Sequence, residues 1–164
     1  RELDLQIAGG KVKSVIVGMG KAAVGDDIAF RAGDADIVCT PVSVGNPHAV
    51  IFADDVEEIP LTVLGPQIEH HENFPGGVNV EFVQVLSEKE LRMRVWERGS
   101  GVTMACGTGA CASAAAAAAR GYCEYDTPVS VHLDGGTLKI QIARNGAVTM
   151  AGPAEIVYEG EIAI

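Results

Sequence analysis

No stretch of this chain is apolar for long enough to cross a bilayer: the longest such run, the alanine tract from Ala114 to Ala119, falls far short of the roughly 20 residues a spanning helix needs. Basic residues are few, 12 Lys and Arg against 22 Asp and Glu, and the resulting formal charge of -10 repels polyanions. Nucleic acid and anionic membrane surfaces are thereby excluded as partners, whereas a small zwitterion is not. No basic segment followed by an apolar one opens the chain; Arg1 to Ile7 alternate like a strand, and the expectation is a cytoplasmic protein. That alternation begins on Arg1 and not on a methionine, so a fragment that has lost an upstream part is expected. Cysteine shows no CxxC pattern, and a chain without secretory features keeps its four thiols reduced. Cys106 and Cys111, the nearest pair, would stand roughly 140° apart around a helix axis and could not bridge there. His48, His70, His71 and His132 lack the HxxxH or His/Cys spacing of a metal site, so no metal is expected. Heptads, low-complexity linkers and internal repeats are absent too, and 164 residues with 48% hydrophobic content suffice for one compact core.

Short alternating runs fill most of the chain. Leu3 to Ala8 and Lys11 to Val17 are joined by Gly9 and Gly10, the strongest hairpin signal present. A Gly- and Asp-rich turn region separates them from a strand over Asp36 to Val44, which Gly45, Asn46 and Pro47 interrupt before His48 to Ala53 resumes. Pro60 fits the first turn of a short helix through Gln67 to His71, with Pro66 expected to bend or restart it. Val78 to Leu86 and Glu90 to Trp96 read as a second hairpin around Ser87, Glu88 and Lys89. Thr108 to Arg120 is the one long helix, dominated by alanine, ending on a cation and stopped by Gly121. Its small side chains let neighbouring strands approach closely, as when a curved sheet wraps a helix. Val129 to Leu133, Thr137 to Ile142, Ala147 to Met150 and Glu155 to Tyr158 then read as short strands. The fold expected is α+β: a strand-rich curved sheet around one central alanine-rich helix.

Chemistry concentrates where that helix begins. Trp96-Glu97-Arg98-Gly99 ends a strand, a glycine-rich loop follows, and Ala105-Cys106-Gly107-Thr108-Gly109 leads into the alanines. A thiol at a helix entrance lies beside unpaired amides and the positive end of the dipole, which favour thiolate and lower its pKa. Gly107 and Gly109 carry no side chains to block a ligand, so their amides and that of Thr108 can hold a carboxylate. A lone cysteine is more often a small buried hydrophobe, and a glycine before a helix is often only a turn. The position of Cys106 favours the reactive reading, whereas Cys39, Cys111 and Cys123 are expected to be packing residues. Gly18-Met19-Gly20 with Ala23 imitates a dinucleotide-binding fingerprint, but Gly25, Asp26 and Asp27 end any helix there within two turns.

Five words, Val-Gly-Asn-Pro-His-Ala-Val (44 to 50), Gly-Pro-Gln-Ile-Glu (65 to 69), Asn-Val-Glu-Phe (79 to 82), Trp-Glu-Arg-Gly (96 to 99) and Ala-Cys-Gly-Thr-Gly-Ala-Cys (105 to 111), resemble the diaminopimelate epimerase family in order and spacing. The resemblance implies a pyridoxal-independent enzyme of two similar lobes, needing no cofactor, in which one cysteine from each lobe faces the substrate α-carbon. Its reaction would interconvert LL- and meso-diaminopimelate, a step toward lysine and peptidoglycan precursors. By matching position, Cys106 is the base or acid of this lobe, and the amides of Gly107 and Thr108 hold the α-carboxylate. Asn46 and Asn79 match substrate-binding asparagines, and Glu97 with Arg98 the pair gripping a charged amino-acid end. His48 matches a supporting histidine that tunes thiol ionisation or accepts an ammonium hydrogen. Asn46 in a turn, Asn79 at a strand edge and Glu97 with Arg98 as a surface ion pair are the bland readings of the same residues.

The family's other catalytic cysteine, in an Ala-Cys-Gly-Asn-Gly word, has no counterpart between Arg1 and Ile164. The chain is therefore expected to be the C-terminal lobe over residues 1–153, with a tail strand over 154–164 that would pack on the missing N-terminal lobe. The partners implied are diaminopimelate, that lobe and, in the intact protein, a second copy in a homodimer. A related racemase or isomerase of the same fold, such as proline racemase, and a non-catalytic binding lobe are the alternatives.

Overall fold

The computed structural model describes residues 3–162. Twelve strands and two helices follow in the order β1 (Leu3–Ala8), β2 (Lys11–Lys21), β3 (Ala23–Val24), β4 (Ile28–Ala32), β5 (Ala35–Ser43), β6 (Pro47–Phe52), α1 (Leu61–Glu69), β7 (Asn79–Ser87), β8 (Glu90–Glu97), β9 (Gly101–Thr103), α2 (Gly107–Ala119), β10 (Val129–Leu133), β11 (Gly136–Ile142) and β12 (Ala147–Pro153). The sheet runs β1-β2-β12-β11-β10-β8-β7-β6-β5-β3, with β4 beside β5 and β9 beside β8. Helix α2 touches β3, β5, β6, β7 and β8 from one half of this order and β10, β11 and β12 from the other. The sheet therefore curls around it, and the expected α+β wrap is found.

Two pairs of neighbouring strands are parallel, β6 with β7 and β8 with β10. Parallel neighbours need a crossover, and the helices supply both: α1 joins β6 to β7, and α2 lies between β8 and β10. Alternation along the central strands then serves two cores. On β7, Val80 and Phe82 join the cluster that includes Leu61 and Ile68 of α1, while Val83 joins the α2 cluster. On β6, Ala49 and Ile51 go one way and Val50 the other. Period two therefore puts His48 of β6 and Glu81 of β7 on the α2 side, and both are buried.

Gly9 and Gly10 take φ of 61° and 73°, the left-handed pair a two-residue hairpin turn requires. Beyond Val17 the outcome differs from the sequence reading. Gly18, Met19 and Gly20 continue β2 against β12, with Thr149 opposite Gly18, Val148 opposite Gly20 and a register shift between. That irregularity absorbs one extra residue within the sheet, which corrects the turn assignment and removes any helix from the dinucleotide-like word. β3, β4 and β9 form where only turns or loop were expected, because neighbouring strands supply their hydrogen bonds. Glu155 to Tyr158 is not a strand: Ile156, Val157 and Tyr158 are exposed and outside regular structure. Arg1, Glu2, Ala163 and Ile164, included in the expected first and last strands, lie outside the described residues.

The helix does not restart at Pro66: α1 runs through it to Glu69 with Pro60 as its N-cap. Gly65 is the reason α1 lies so close to the sheet: a Cβ there would stand 2.5 Å from Trp96 Cγ. The indole also donates to Glu69 Oε2 at 2.6 Å, and Glu69 Oε1 accepts from the Gly99 amide at 2.8 Å. Burial raises the Glu69 pKa, but these two hydrogen bonds, with His70 and Arg98 nearby, outweigh it and hold the carboxyl below its ordinary value.

Gly65→Ala is expected to lower unfolding stability by about 1–3 kcal/mol in urea melts, overriding the helical preference for alanine. A stabilised variant would mean that the indole does not fill that space. Because the Glu69 pKa is depressed on folding, its contribution is full above the unfolded value and is lost as pH falls through the folded one. Glu69→Gln should therefore cost stability at neutral pH, with the gap to the parent chain narrowing in acid below about pH 4.

Candidate active site at the head of the alanine helix

Cys106 is the N-cap of α2, with extended φ and ψ of -135° and 109°. Its sulfur accepts a hydrogen bond from the Gly109 amide at 3.4 Å and lies 3.6 Å from Thr108 Oγ1. The first amides of a helix have no partner within it; that of Gly109 goes to the sulfur, leaving those of Gly107 and Thr108, both half-buried residues, without a partner in the helix. The glycines have an internal reason as well. A Cβ on Gly109 would meet Glu81 Oε1 at 2.7 Å and the Cys106 sulfur at 3.3 Å, and one on Gly107 would meet Met150 Sδ at 3.2 Å.

A polar network approaches the sulfur from the sheet. Glu81 Oε1 lies 2.7 Å from His48 Nδ1, His48 Nε2 lies 3.1 Å from Asn46 Oδ1, and Asn46 Nδ2 donates to Thr108 Oγ1 at 3.2 Å. The structure thus joins Asn46, His48, Thr108 and Cys106 in one chain of contacts. It also adds Glu81, which sequence reasoning left without a role. The available signal was an acidic residue in the middle of the alternating run Asn79 to Val85.

Asn79 sits at the register position opposite His48. Its amide donates to the Pro47 carbonyl at 2.9 Å and its Oδ1 accepts from the Arg98 amide at 3.0 Å, so it ties the start of β6 to the turn after β8. Glu97 Oε1 accepts from Thr103 Oγ1 at 2.5 Å, while the Arg98 guanidinium donates to the Gly76 carbonyl at 3.1 Å. No ion pair between Glu97 and Arg98 occurs among the described residues. Glu97 is close enough to the sulfur to oppose its ionisation, whereas Arg98 is exposed on the outer side of the turn that Glu69 anchors.

The electrostatic balance at Cys106 differs from the expected lowering. Burial dominates and pushes the thiol up to about 11; the Thr108 hydroxyl and the Gly109 amide pull it down, and Glu81 and Glu97 push it up again. Cys39, which has burial without donors, is driven to about 12. Cys39, Cys111 and Cys123 are buried in the two cores, and no disulfide joins any of the four. Two surface grooves lie elsewhere, one of about 580 Å³ between Gly10 to Lys13 and Ala154 to Ile156, the other beside Phe52 and Tyr122; neither includes Cys106.

Residues 40–157 match the diaminopimelate epimerase family model. A diaminopimelate epimerase of Bacillus licheniformis is 48% identical over 98% of this chain, which spans 61% of that protein. One of Bacillus cytotoxicus is 60% identical over 74% of this chain and 42% of its own length. The chain therefore spans less than two thirds of either relative. Among solved structures, a probable proline racemase from Agrobacterium radiobacter has a TM-score of 0.69 at 16% identity over 96% of this chain and 57% of its own. A hydroxyproline epimerase from Agrobacterium vitis has a TM-score of 0.67 at 20% identity over 91% of this chain and 52% of its own. At such identities these two speak for the fold alone. The family match, spanning both the network strands and the helix that carries Cys106, settles the assignment: this chain belongs to the diaminopimelate epimerase family.

Proposed function

We propose that this chain supplies one face of a cofactor-independent epimerase that interconverts LL- and meso-diaminopimelate, with Cys106 as its proton-transfer group. The observation that carries the reading is the sulfur at the N-cap of α2, which accepts from the Gly109 amide, touches the Thr108 hydroxyl and is bordered by the first amides of the helix, those of Gly107 and Thr108. A carboxylate seated on those amides would bring the adjacent α-carbon toward the sulfur. Asn46 and Asn79, with Glu97 and Arg98 beyond them, then offer contacts for the ammonium groups and the second carboxylate. Arg98 would have to exchange its Gly76 carbonyl for that carboxylate, a substitution its forked guanidinium favours.

Inversion needs a base on one face and an acid on the other: a thiolate takes the α-proton, breaking C–H and forming S–H, and a thiol opposite delivers its own proton to the carbanion. The raised pKa of Cys106 suits the acid, since at neutral pH it rests as the thiol. Its counterpart, the resting base, would come from the N-terminal lobe that the family resemblance implies. In this reading the exposed Ile156, Val157 and Tyr158 belong against that lobe, the intact protein pairs as a homodimer, and this chain alone does not turn over.

The test follows α-hydrogen exchange of diaminopimelate in heavy water. This chain alone should give no epimerisation; adding the N-terminal lobe of a relative should restore it, and Cys106→Ala should then reduce it by about 10²–10⁴-fold. Turnover by the unaccompanied chain would end the proposal. In the same preparation, iodoacetamide should modify Cys106 before Cys39, with a rate that climbs as pH rises toward about 11.

A further inference from the structure

The polar chain beneath Cys106 has a direction, and its far end is a carboxyl group that the proposed reaction does not touch. Glu81 is fully buried, and its Oε2 has no hydrogen-bond partner among the described residues. Two steps along, His48 Nε2 faces Asn46 Oδ1, an acceptor, a contact satisfied when Nε2 carries the hydrogen. Asn46 Nδ2 donates to Thr108 Oγ1, and with one lone pair so occupied the Thr108 hydroxyl hydrogen is free to be given to the Cys106 sulfur 3.6 Å away. With Nε2 protonated, the 2.7 Å contact between Nδ1 and Glu81 Oε1 is a hydrogen bond only if one further proton is held there, on the ring or on the carboxyl. Either arrangement is neutral overall. Losing that proton would leave net negative charge on two side chains shut off from solvent, with Glu97 adding repulsion, and burial already raises the Glu81 pKa.

We infer that Glu81 is a positioning residue: by sharing one proton with His48 it holds the ring with Nε2–H toward Asn46, and so makes the Thr108 hydroxyl a donor to the Cys106 sulfur. The inference rests on reading Cys106 as a proton-transfer thiol, and gives Glu81 a role exercised through His48, Asn46 and Thr108 without contact to substrate. The charged groups that bear on the sulfur are Glu81 from β7 and Glu97 from β8; His48 from β6 faces Glu81. A bare Glu81 carboxylate would oppose the thiolate, and the shared proton cancels that opposition.

The sign of the effect separates these cases. Alkylation of Cys106 by iodoacetamide is followed across pH in the full chain by peptide mapping, and nitrogen-15 NMR reads the His48 ring. Nε2 should be protonated wherever Cys106 reacts. Thr108→Val should slow alkylation at fixed pH by about tenfold, the equivalent of one pKa unit. Glu81→Leu should slow it in the parent chain and add no further loss beside Thr108→Val; Glu81→Gln, whose amide can still donate to Nδ1, should restore most of the rate. Faster alkylation in Glu81→Leu, losses that add with Thr108→Val, or an Nε2 without hydrogen would each overturn the inference, and the last needs no variant to fold. A parent Cys106 no more reactive than Cys39 would instead defeat the functional reading itself, so the two failures are told apart.

Discussion

Ten consecutive residues of α2, Gly109 through Ala118, are buried, so this helix meets solvent only near its ends. A buried helix end is costly unless its amides find partners, and the protein around α2 is mostly hydrocarbon. One partner is sulfur, held by the Gly109 amide; the amides of Gly107 and Thr108 are left at the half-buried rim. The candidate site is thus the place where the wrapping sheet does not satisfy the helix. Removing the curl of the sheet would expose the alanines and dissolve the distinction between that rim and the rest of the helix.

The same wrap explains why carboxyl groups are buried here at all. Strands β6 and β7 feed hydrophobic residues to both faces, α1 on one and α2 on the other, so their central positions are interior whichever way they point. Glu81 points to α2 and meets His48; Glu69, from α1, meets the Trp96 indole and the Gly99 amide. The second contact fixes the turn that carries Glu97 and Arg98, and the first lies under the helix entrance. Two buried acids therefore brace the two sides of the candidate site, one through the backbone of a turn and one through a chain of side chains. At the sulfur, burial outweighs the donors, and the thiol is the resting form.

Much of the fold was legible because its signals are local. Gly9 and Gly10 demand a left-handed turn whatever surrounds them, and the polar triplet Ser87, Glu88 and Lys89 marks the next hairpin. Where the reading failed, a distant segment decided. Gly18 to Gly20 extend a strand because β12 lies beside them, and Glu155 to Tyr158, strand-like by composition, join no strand ladder among the described residues. Of the site, Cys106 with its flanking glycines could be placed from the residues alone, and the family words supplied Asn46, His48, Asn79, Glu97 and Arg98.

What the sequence by itself determined is the class of group and its setting: a thiol preceding an alanine helix, with small residues on both sides of it, in a strand-rich chain of acidic balance. The three-dimensional arrangement alone decided the ionisation of that thiol and the company it keeps. Glu81 and Cys106 are 25 positions apart, and Asn46 and Thr108 are 62 apart, so no local pattern pairs them. Dielectric and hydrogen-bond direction depend on what surrounds an atom in space, and here that surrounding is assembled from β6, β7, β8 and α2 only when the sheet closes around the helix.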